Sequence, residues 1–164
     1  MRRYSTASVV GLFAAFVAMK PIDVHADMKG CSAWDLSVQQ QEEGREWTAS
    51  VCASKQDTNT ILEVRCFGSD VGVRYMPAVD FPFPDKGRDI EYVVDGRVRP
   101  VFVQYEGMDG ALSAYIPFDH TVVQMLKSGA NVEIRDPESV APTRTFILTG
   151  ARKAIDGLVS RCRN

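Results

Sequence analysis

Four cysteines place the strongest constraint on what this 164-residue chain can fold into. They are even in number and far apart, and no two of them form the CxxC pair that zinc sites use. His120 is the only histidine beyond the N-terminal segment, so a metal site is disfavoured. Disulfides are the better interpretation if the chain folds in an oxidising compartment. Several pairings are then possible among the four positions, which are Cys31, Cys52, Cys66 and Cys162.

The N-terminal segment predicts such a compartment. Arg2 and Arg3 give a positive start, and residues 9–19 form an apolar run. Val24 and Ala26 then place small side chains at the two positions that a signal peptidase reads. The apolar run is well short of the roughly 20 residues that span a bilayer. We therefore expect residues 1–26 to be a cleaved signal peptide and the protein to be periplasmic or secreted. No membrane span is expected after cleavage.

The charge of the chain argues against a nucleic-acid partner. The full chain has a formal net charge of −2, and the predicted signal peptide carries three basic residues and one acidic residue, which leaves −4 for the rest. No cluster of Lys and Arg stands out along the sequence. Because binding to phosphate backbones requires concentrated positive charge, nucleic-acid binding is disfavoured.

Side-chain directions favour one of the possible disulfide pairings. In residues 61–67 apolar side chains alternate with charged ones, and Cys66 lies on the apolar side, as on the inward face of a strand. The C-terminal segment repeats apolar residues at helical spacing, and Cys162 lies on that stripe. A helix packed across the sheet would bring these two sulfurs together, which leaves Cys31 for Cys52. The bond would clamp the last helix to the sheet and contribute about 4–5 kcal/mol in the chain-entropy model.

Most of the remaining pattern is typical of short strands separated by turns. The dipeptide Asp95-Gly96 lies between two such runs and is a strong hairpin signal. Pro100 predicts that part of the second arm lies at a sheet edge or at a bulge. The expected fold class is mainly β: an antiparallel β-sandwich or flattened barrel of seven or eight short strands with two helices.

The two helices are expected at about residues 119–128 and 151–162. Asp119 can cap the first of them, and Gly129 follows its end. The polar segment 39–44 is predicted to be a loop. The predicted organisation is a cleaved signal peptide (1–26), an N-terminal extension (27–44) and a single β-rich domain (45–164).

The order and spacing of several motifs resemble a group of small exported bacterial proteins. The motifs are LEVRC (62–66), VGVRY (71–75), the YVVDG hairpin (92–96), FDHTVVQML (118–126), and FILTG followed by a helix that ends in Cys162. Over residues 45–162 the chain resembles the type VI secretion-associated VasI/TagO-like proteins and, more distantly, proteins of the invasion-associated locus B type. This resemblance implies an exported β-rich domain without a catalytic residue set. Residues 104–110 depart from the pattern, in which a Trp is expected.

Residues suited to catalysis are sparse, and we expect neither enzyme activity nor a cofactor. A Ser/His/Asp or Cys/His site needs a histidine beside its nucleophile, and His120 is better explained as an exposed capping residue at a helix start. Carboxylates such as Asp35 with Glu42, or Asp89 with Glu91, could serve a glycosidase. Nothing in the sequence distinguishes them from solvated surface charges.

The stretch MPAVDFPFPDK at 76–86 is the leading candidate for a partner site. Its prolines could present Phe81 and Phe83 as a stiff apolar lip, or both rings could cover an open sheet edge. Tyr105 and Met108 are further partner-binding candidates. The expected function is a non-catalytic exported domain that binds an envelope or host protein, accessory to secretion or host contact. The alternatives are an inhibitor of a secreted hydrolase and a carboxylate-dependent hydrolase, and the sequence leaves the oligomeric state open.

Overall fold

The computed structural model describes residues 31–41, 44–79 and 86–162. The predicted signal peptide and the candidate residues Phe81 and Phe83 lie outside these ranges. Within them the chain forms nine strands and two helices. In chain order they are β1 (Asp35–Gln41), β2 (Gly44–Ser54), β3 (Asp57–Phe67), β4 (Asp70–Met76), β5 (Arg88–Val94), β6 (Arg97–Glu106), β7 (Ala111–Pro117), α1 (Thr121–Ser128), β8 (Asn131–Arg135), β9 (Arg144–Ile147) and α2 (Ala151–Cys162).

All nine strands belong to one antiparallel sheet, in the order β1-β2-β3-β4-β7-β6-β5-β8-β9. Strand β6 joins two halves of this sheet, because residues 97–103 pair with β5 and residues 104–106 pair with β7. The larger half holds β1, β2, β3, β4 and β7, and the smaller half holds β5, β8 and β9. The sheet curls until β9 lies against β2, but it does not close into a barrel.

The mainly β, antiparallel class with two helices is confirmed. The described residues form nine strands instead of the seven or eight predicted, and the additional strand is β1. This strand takes up residues 39–41, for which the loop prediction was wrong, and it brings part of the predicted N-terminal extension into the sheet. Polar residues are tolerated there because β1 is an edge strand. Its alternation is also weak, since Leu36 packs against the core while Val38 is 43% exposed.

The core lies on the inner face of the curled sheet, beneath the two helices. Helix α2 packs on β1, β2 and β3. The apolar stripe predicted for α2 is confirmed, since all four residues that α2 buries belong to it: Ala151, Ala154, Ile155 and Leu158. The largest side chains that are fully buried come from both halves of the sheet and both helices, among them Tyr75, Tyr92, Phe146, Leu62, Leu126 and Ile155.

Trp34 ties the start of β1 to the opposite end of the sheet. Its backbone N–H donates to the carbonyl of Thr149 at 2.8 Å, and its indole Nε1 donates to the carbonyl of Ile147 at 2.9 Å. The residue is 6% exposed. The edge strand at one end of the sheet is thereby fastened to β9 at the other end.

The hairpin signal and the proline signal are both confirmed. Asp95 and Gly96 form the turn between β5 and β6 with positive φ angles of 48° and 81°. Pro100 lies opposite Glu91 of β5, whereas the pairing of β6 with β7 begins only at Gln104. Pro100 therefore occupies an edge position, where a strand does not require its missing N–H.

Asp119 and His120 were both predicted as capping residues at the start of helix α1. The prediction for Asp119 was wrong and that for His120 is confirmed, although His120 is half-buried instead of exposed. His120, not Asp119, is the N-cap, and its Nδ1 accepts a hydrogen bond from the backbone N–H of Val122 at 3.3 Å. The backbone of His120 is non-helical and immediately precedes the first helical residue, as a cap requires. At the other end the N–H of Gly129 donates to the carbonyl of Met125 at 2.9 Å. Neither α1 nor α2, the helices of the described ranges, has the length and apolar character needed to cross a membrane.

The cysteines pair as their side-chain directions predicted. Cys66 and Cys162 form a disulfide with Cα atoms 5.4 Å apart, and Cys31 and Cys52 form another with Cα atoms 4.9 Å apart. The first bond fastens the last residue of α2 to β3. Two such bonds in a domain of this size are typical of proteins that fold in oxidising compartments.

Candidate functional site

The larger half of the sheet has a second face, opposite the core, which we call the outer face. Its side chains form cross-strand rows, because β3, β4 and β7 pair in continuous register. Two adjacent rows are Arg65–Gly72–Tyr115 and Glu63–Arg74–Ser113. Charged, aromatic and small residues are therefore brought together on one surface, although they come from three separate stretches of sequence.

Arg74 is the centre of this face and is only 4% exposed. Its guanidinium contacts Glu63 at 2.5 Å, Glu106 at 2.5 Å and Asp109 at 2.5 Å, and its Nε donates to Ser113 Oγ at 3.2 Å. Glu63 belongs to β3, Glu106 to β6 and Asp109 to the turn after β6. We call these four charged residues the Arg74 cluster. A buried charge is tolerated only when it is paired, and here three carboxylates surround one cation.

The charges of the cluster reinforce one another. Burial alone would lower the pKa of Arg74, but hydrogen bonds and attraction from Glu63 and Glu106 raise it, so the guanidinium stays charged. Burial would raise the pKa of Glu106, but hydrogen bonds from Tyr115, Ser113 and Arg74 hold it below its ordinary value. Arg74 and Glu106 are therefore both ionised at neutral pH.

Glu106 also links the cluster to an aromatic residue. Its Oε2 accepts from Arg74 at 2.5 Å, and its Oε1 accepts a hydrogen bond from the hydroxyl of Tyr115. Burial and this hydrogen bond raise the pKa of Tyr115, which keeps the phenol protonated as a donor. Arg65 lies on the same side, with its Nη2 3.5 Å from Glu106.

Phe67 and Tyr115 form an exposed aromatic pair on the outer face. Their ring centroids are 4.1 Å apart, and the residues are 52% and 37% exposed. The ring of Tyr115 lies over Gly72, where an added Cβ would approach it to 3.3 Å. A glycine at this position therefore leaves room for the ring, and the hydrogen bond to Glu106 fixes its hydroxyl end. The result is a rigid apolar patch bordered by charged groups.

The chemistry of this face suits binding better than turnover. A glycosidase needs one carboxylic acid with a raised pKa beside a second carboxylate. The Arg74 cluster has the opposite character, because its carboxylates share a cation and the pKa of Glu106 is lowered. Of the pairs considered from the sequence, Asp89 with Glu91 has a cation beside it, because Glu91 lies opposite Arg135. The pair Asp35 with Glu42 stays a prediction, since Glu42 lies outside the described residues. Among the described residues no group of three or more His, Cys, Asp or Glu side chains could hold a metal ion.

The candidate partner residues from the sequence take different positions. Tyr105 is half-buried and packs against the core, so it does not belong to the outer face. Met108 is fully exposed in the turn between β6 and β7, beside Asp109, which Arg74 holds in place. Phe81 and Phe83 are outside the described residues, so the apolar lip stays a prediction.

Sequence reasoning missed the residues that make up this site. Phe67, Arg74 and Tyr115 were not singled out, although each alternates with buried residues of its strand and so had to point outward. The alternation was a sufficient signal for the face on which each residue lies. It was not a signal for which residues would meet, because that depends on the strand order.

Comparisons with known proteins give one informative match. No family model matches the chain, and no curated protein matches it. A solved structure does: the crystal structure of invasion associated protein b from Bartonella henselae, with a TM-score of 0.54 and 17% sequence identity. The match covers 82% of this chain and 94% of that chain. The chain thus shares its fold with that protein, as the distant resemblance to the invasion-associated locus B type implied, whereas the VasI/TagO-like resemblance stays a hypothesis.

Proposed function

We propose that this chain is an exported, non-catalytic domain that binds another protein, of the envelope or of a host, through its outer face. The observation that carries the proposal is the aromatic pair Phe67–Tyr115. It is exposed on a rigid sheet and anchored to the Arg74 cluster through Glu106.

The energetics of association favour such a patch. Aromatic side chains dominate the energy of most interfaces, because each buries a large apolar area with few rotamers to lose. Here Tyr115 is held from both sides, by Gly72 beneath its ring and by Glu106 at its hydroxyl. Little conformational entropy is left to lose when a partner covers the pair.

The surroundings of the pair favour a protein partner. The patch is small, and paired charges border it, which is the arrangement of an apolar interface centre with a polar rim. Binding of another protein is also consistent with the fold shared with an invasion-associated protein and with two disulfides. Of the two kinds of partner, this likeness favours a host protein.

Photo-crosslinking from two matched positions tests the proposal. Phe67 is 52% exposed on the larger half of the sheet, and Phe102 is 53% exposed on β6, outside the outer-face rows. Each is replaced in turn by benzoylphenylalanine, and the disulfide-bonded protein is irradiated with envelope fractions and with host-cell surface fractions. We expect one discrete product from position 67 and none from position 102.

Affinity measurements with the identified partner complete the test. Phe67→Ser should weaken binding by about 30-fold, the size of an interface hot spot, while Phe102→Ser should change it by less than about threefold. Both variants should melt within a few degrees of the parent protein, because both side chains are half-exposed. Equal effects at the two positions, or no product from position 67 in any fraction, would refute the outer face as the binding surface.

A further inference from the structure

The two disulfides differ in how accessible they are. Cys31 and Cys52 are buried, at 9% and 2% exposure. Cys66 and Cys162 are only partly buried, and both line a cavity of about 470 Å³. A thiolate can therefore approach the second bond in the folded protein, whereas the first is shielded. The other residues that line the cavity are Gly44, Arg45, Glu46, Trp47, Gly68 and Arg161.

The walls of the cavity are suited to thiolate chemistry. Arg45 and Arg161 bring two cations to the cavity, and cations favour both an attacking thiolate and a departing one. Arg161 is held there, because its guanidinium lies 4.3 Å from the ring centroid of Trp47 and its Nη1 donates to the carbonyl of Gly157 at 2.7 Å. Glu46, the one carboxylate among these lining residues, is paired with Arg65 at 3.5 Å.

The position of Cys162 in α2 determines how much of the helix depends on the disulfide. It is the last residue of α2, while Cys66 lies within the paired part of β3. The last fully buried residue of the α2 stripe is Leu158, one turn earlier, and the three other buried residues of the helix precede it. Opening the bond therefore frees the last turn of α2 and leaves the rest of the helix docked.

We propose that Cys66–Cys162 is a thiol-exchange site, opened in the folded protein by the dithiol form of a thiol–disulfide oxidoreductase and closed again by the disulfide form of such an enzyme, while Cys31–Cys52 is purely structural. A thiolate of the oxidoreductase attacks the sulfur of Cys162, which forms a mixed disulfide and expels Cys66 as a thiolate. The second thiol of the oxidoreductase then attacks the mixed disulfide, and Cys162 leaves. Cys66 and Cys162 each take up a proton, and the dithiol is oxidised by two electrons as the protein bond is reduced. This inference is independent of the proposed binding role.

Timed reduction of the folded protein tests the site. The disulfide-bonded chain is incubated without denaturant, in one series with dithiothreitol and in another with a reduced thioredoxin-type protein. Samples are quenched in acid, alkylated and mapped as peptides. Cys66–Cys162 should open at least tenfold faster than Cys31–Cys52 with either reagent. Global unfolding exposes both bonds together, so equal rates, or faster loss of Cys31–Cys52, would overturn the proposal.

Two further measurements identify the route. A thioredoxin-type protein that lacks its second cysteine should be trapped on Cys162 and not on Cys31 or Cys52. Arg45→Gln should slow the opening of Cys66–Cys162 severalfold, while Arg97→Gln, at the exposed start of β6, should leave it unchanged. Trapping on Cys31 or Cys52, or equal rates for the two arginine variants, would contradict the assigned mechanism.

Discussion

Two arginines on the two halves of the sheet carry the same charge in very different surroundings. Arg74, on the larger half, is 4% exposed and contacts carboxylates from three other elements. The side chain of Arg135, on the smaller half, is 46% exposed, and it forms a salt bridge with Glu133, two residues earlier on the same strand. Both carry salt bridges, but only Arg74 is enclosed by them. The contribution of an ion pair to stability therefore depends on how deeply it is buried and on how many parts of the chain it joins.

Substitution of Arg74 should produce the largest effect. Arg74→Met keeps an unbranched side chain but removes the guanidinium, which leaves Glu63, Glu106 and Asp109 without their shared cation. Breaking a buried ion pair on one side costs about 3–5 kcal/mol, because the remaining charges stay desolvated. Urea unfolding of the disulfide-bonded protein measures this loss. A loss of well under about 1 kcal/mol would mean that the cluster relaxes into solvent and that its enclosure has no energetic value.

Acidification should have the second-largest effect, because it lowers the free energy of unfolding that Glu106 contributes to the larger half of the sheet. The pKa of Glu106 lies below its ordinary value of 4.5, so the unfolded chain binds this proton more readily than the folded protein. The stabilisation from Glu106 is complete above that ordinary value and is lost as the pH falls through the lowered pKa. Urea unfolding across acidic pH should show the gap between the parent protein and Glu106→Gln closing as the pH falls. A gap independent of pH would refute this assignment.

Removing the hydroxyl of Tyr115 should have a smaller effect. Tyr115→Phe deletes the hydrogen bond to Glu106 but keeps the ring against Phe67 and over Gly72. We expect a loss of about 0.5–1.5 kcal/mol in unfolding free energy, with most of the partner affinity retained. If affinity falls as far as it does in Phe67→Ser, then the hydroxyl itself contacts the partner and the apolar patch is not the main anchor.

Substitution of Arg135 should have the smallest effect. Arg135→Met removes one exposed ion pair, and we expect a melting temperature within error of the parent protein, at low salt and at high salt alike. Thermal melting of this variant beside Arg74→Met compares the two halves directly. A fall in melting temperature as large as that of Arg74→Met would show that the two arginines contribute equally to stability.

The elements that the sequence predicted well are those whose signal is local. The inward stripe of α2, the hairpin at Asp95-Gly96 and the inward direction of Cys66 each depend on a few neighbouring residues, and all are present in the structure. The pairing of Cys66 with Cys162 followed because two stripes that both face one core must meet. Strand β1 was missed because an edge strand with polar side chains carries little alternation.

The candidate site could be predicted only in part. Alternation places Arg74 and Tyr115 on the outer side of their strands, and that much was available from the sequence. Glu106 joins them because β4 pairs with β7, which in turn pairs with the end of β6, instead of with the strand that follows β4 in the chain. Such a long-range strand order leaves no local pattern. A buried arginine therefore looks, from the sequence, like any solvated charge on an outward face.

The bonds made by Trp34 have a consequence for the order in which the chain can fold. Its indole donates to Ile147, a residue 113 positions away, and the last helix is fastened to β3 by a disulfide that spans 96 positions. Contacts of this separation form only after most of the chain is present, and topologies rich in them fold slowly. A ribosome-bound fragment that lacks the last twenty or so residues has neither partner, so it cannot complete the sheet. The chain therefore acquires its complete fold only after the residues of β9 and α2 have been synthesised.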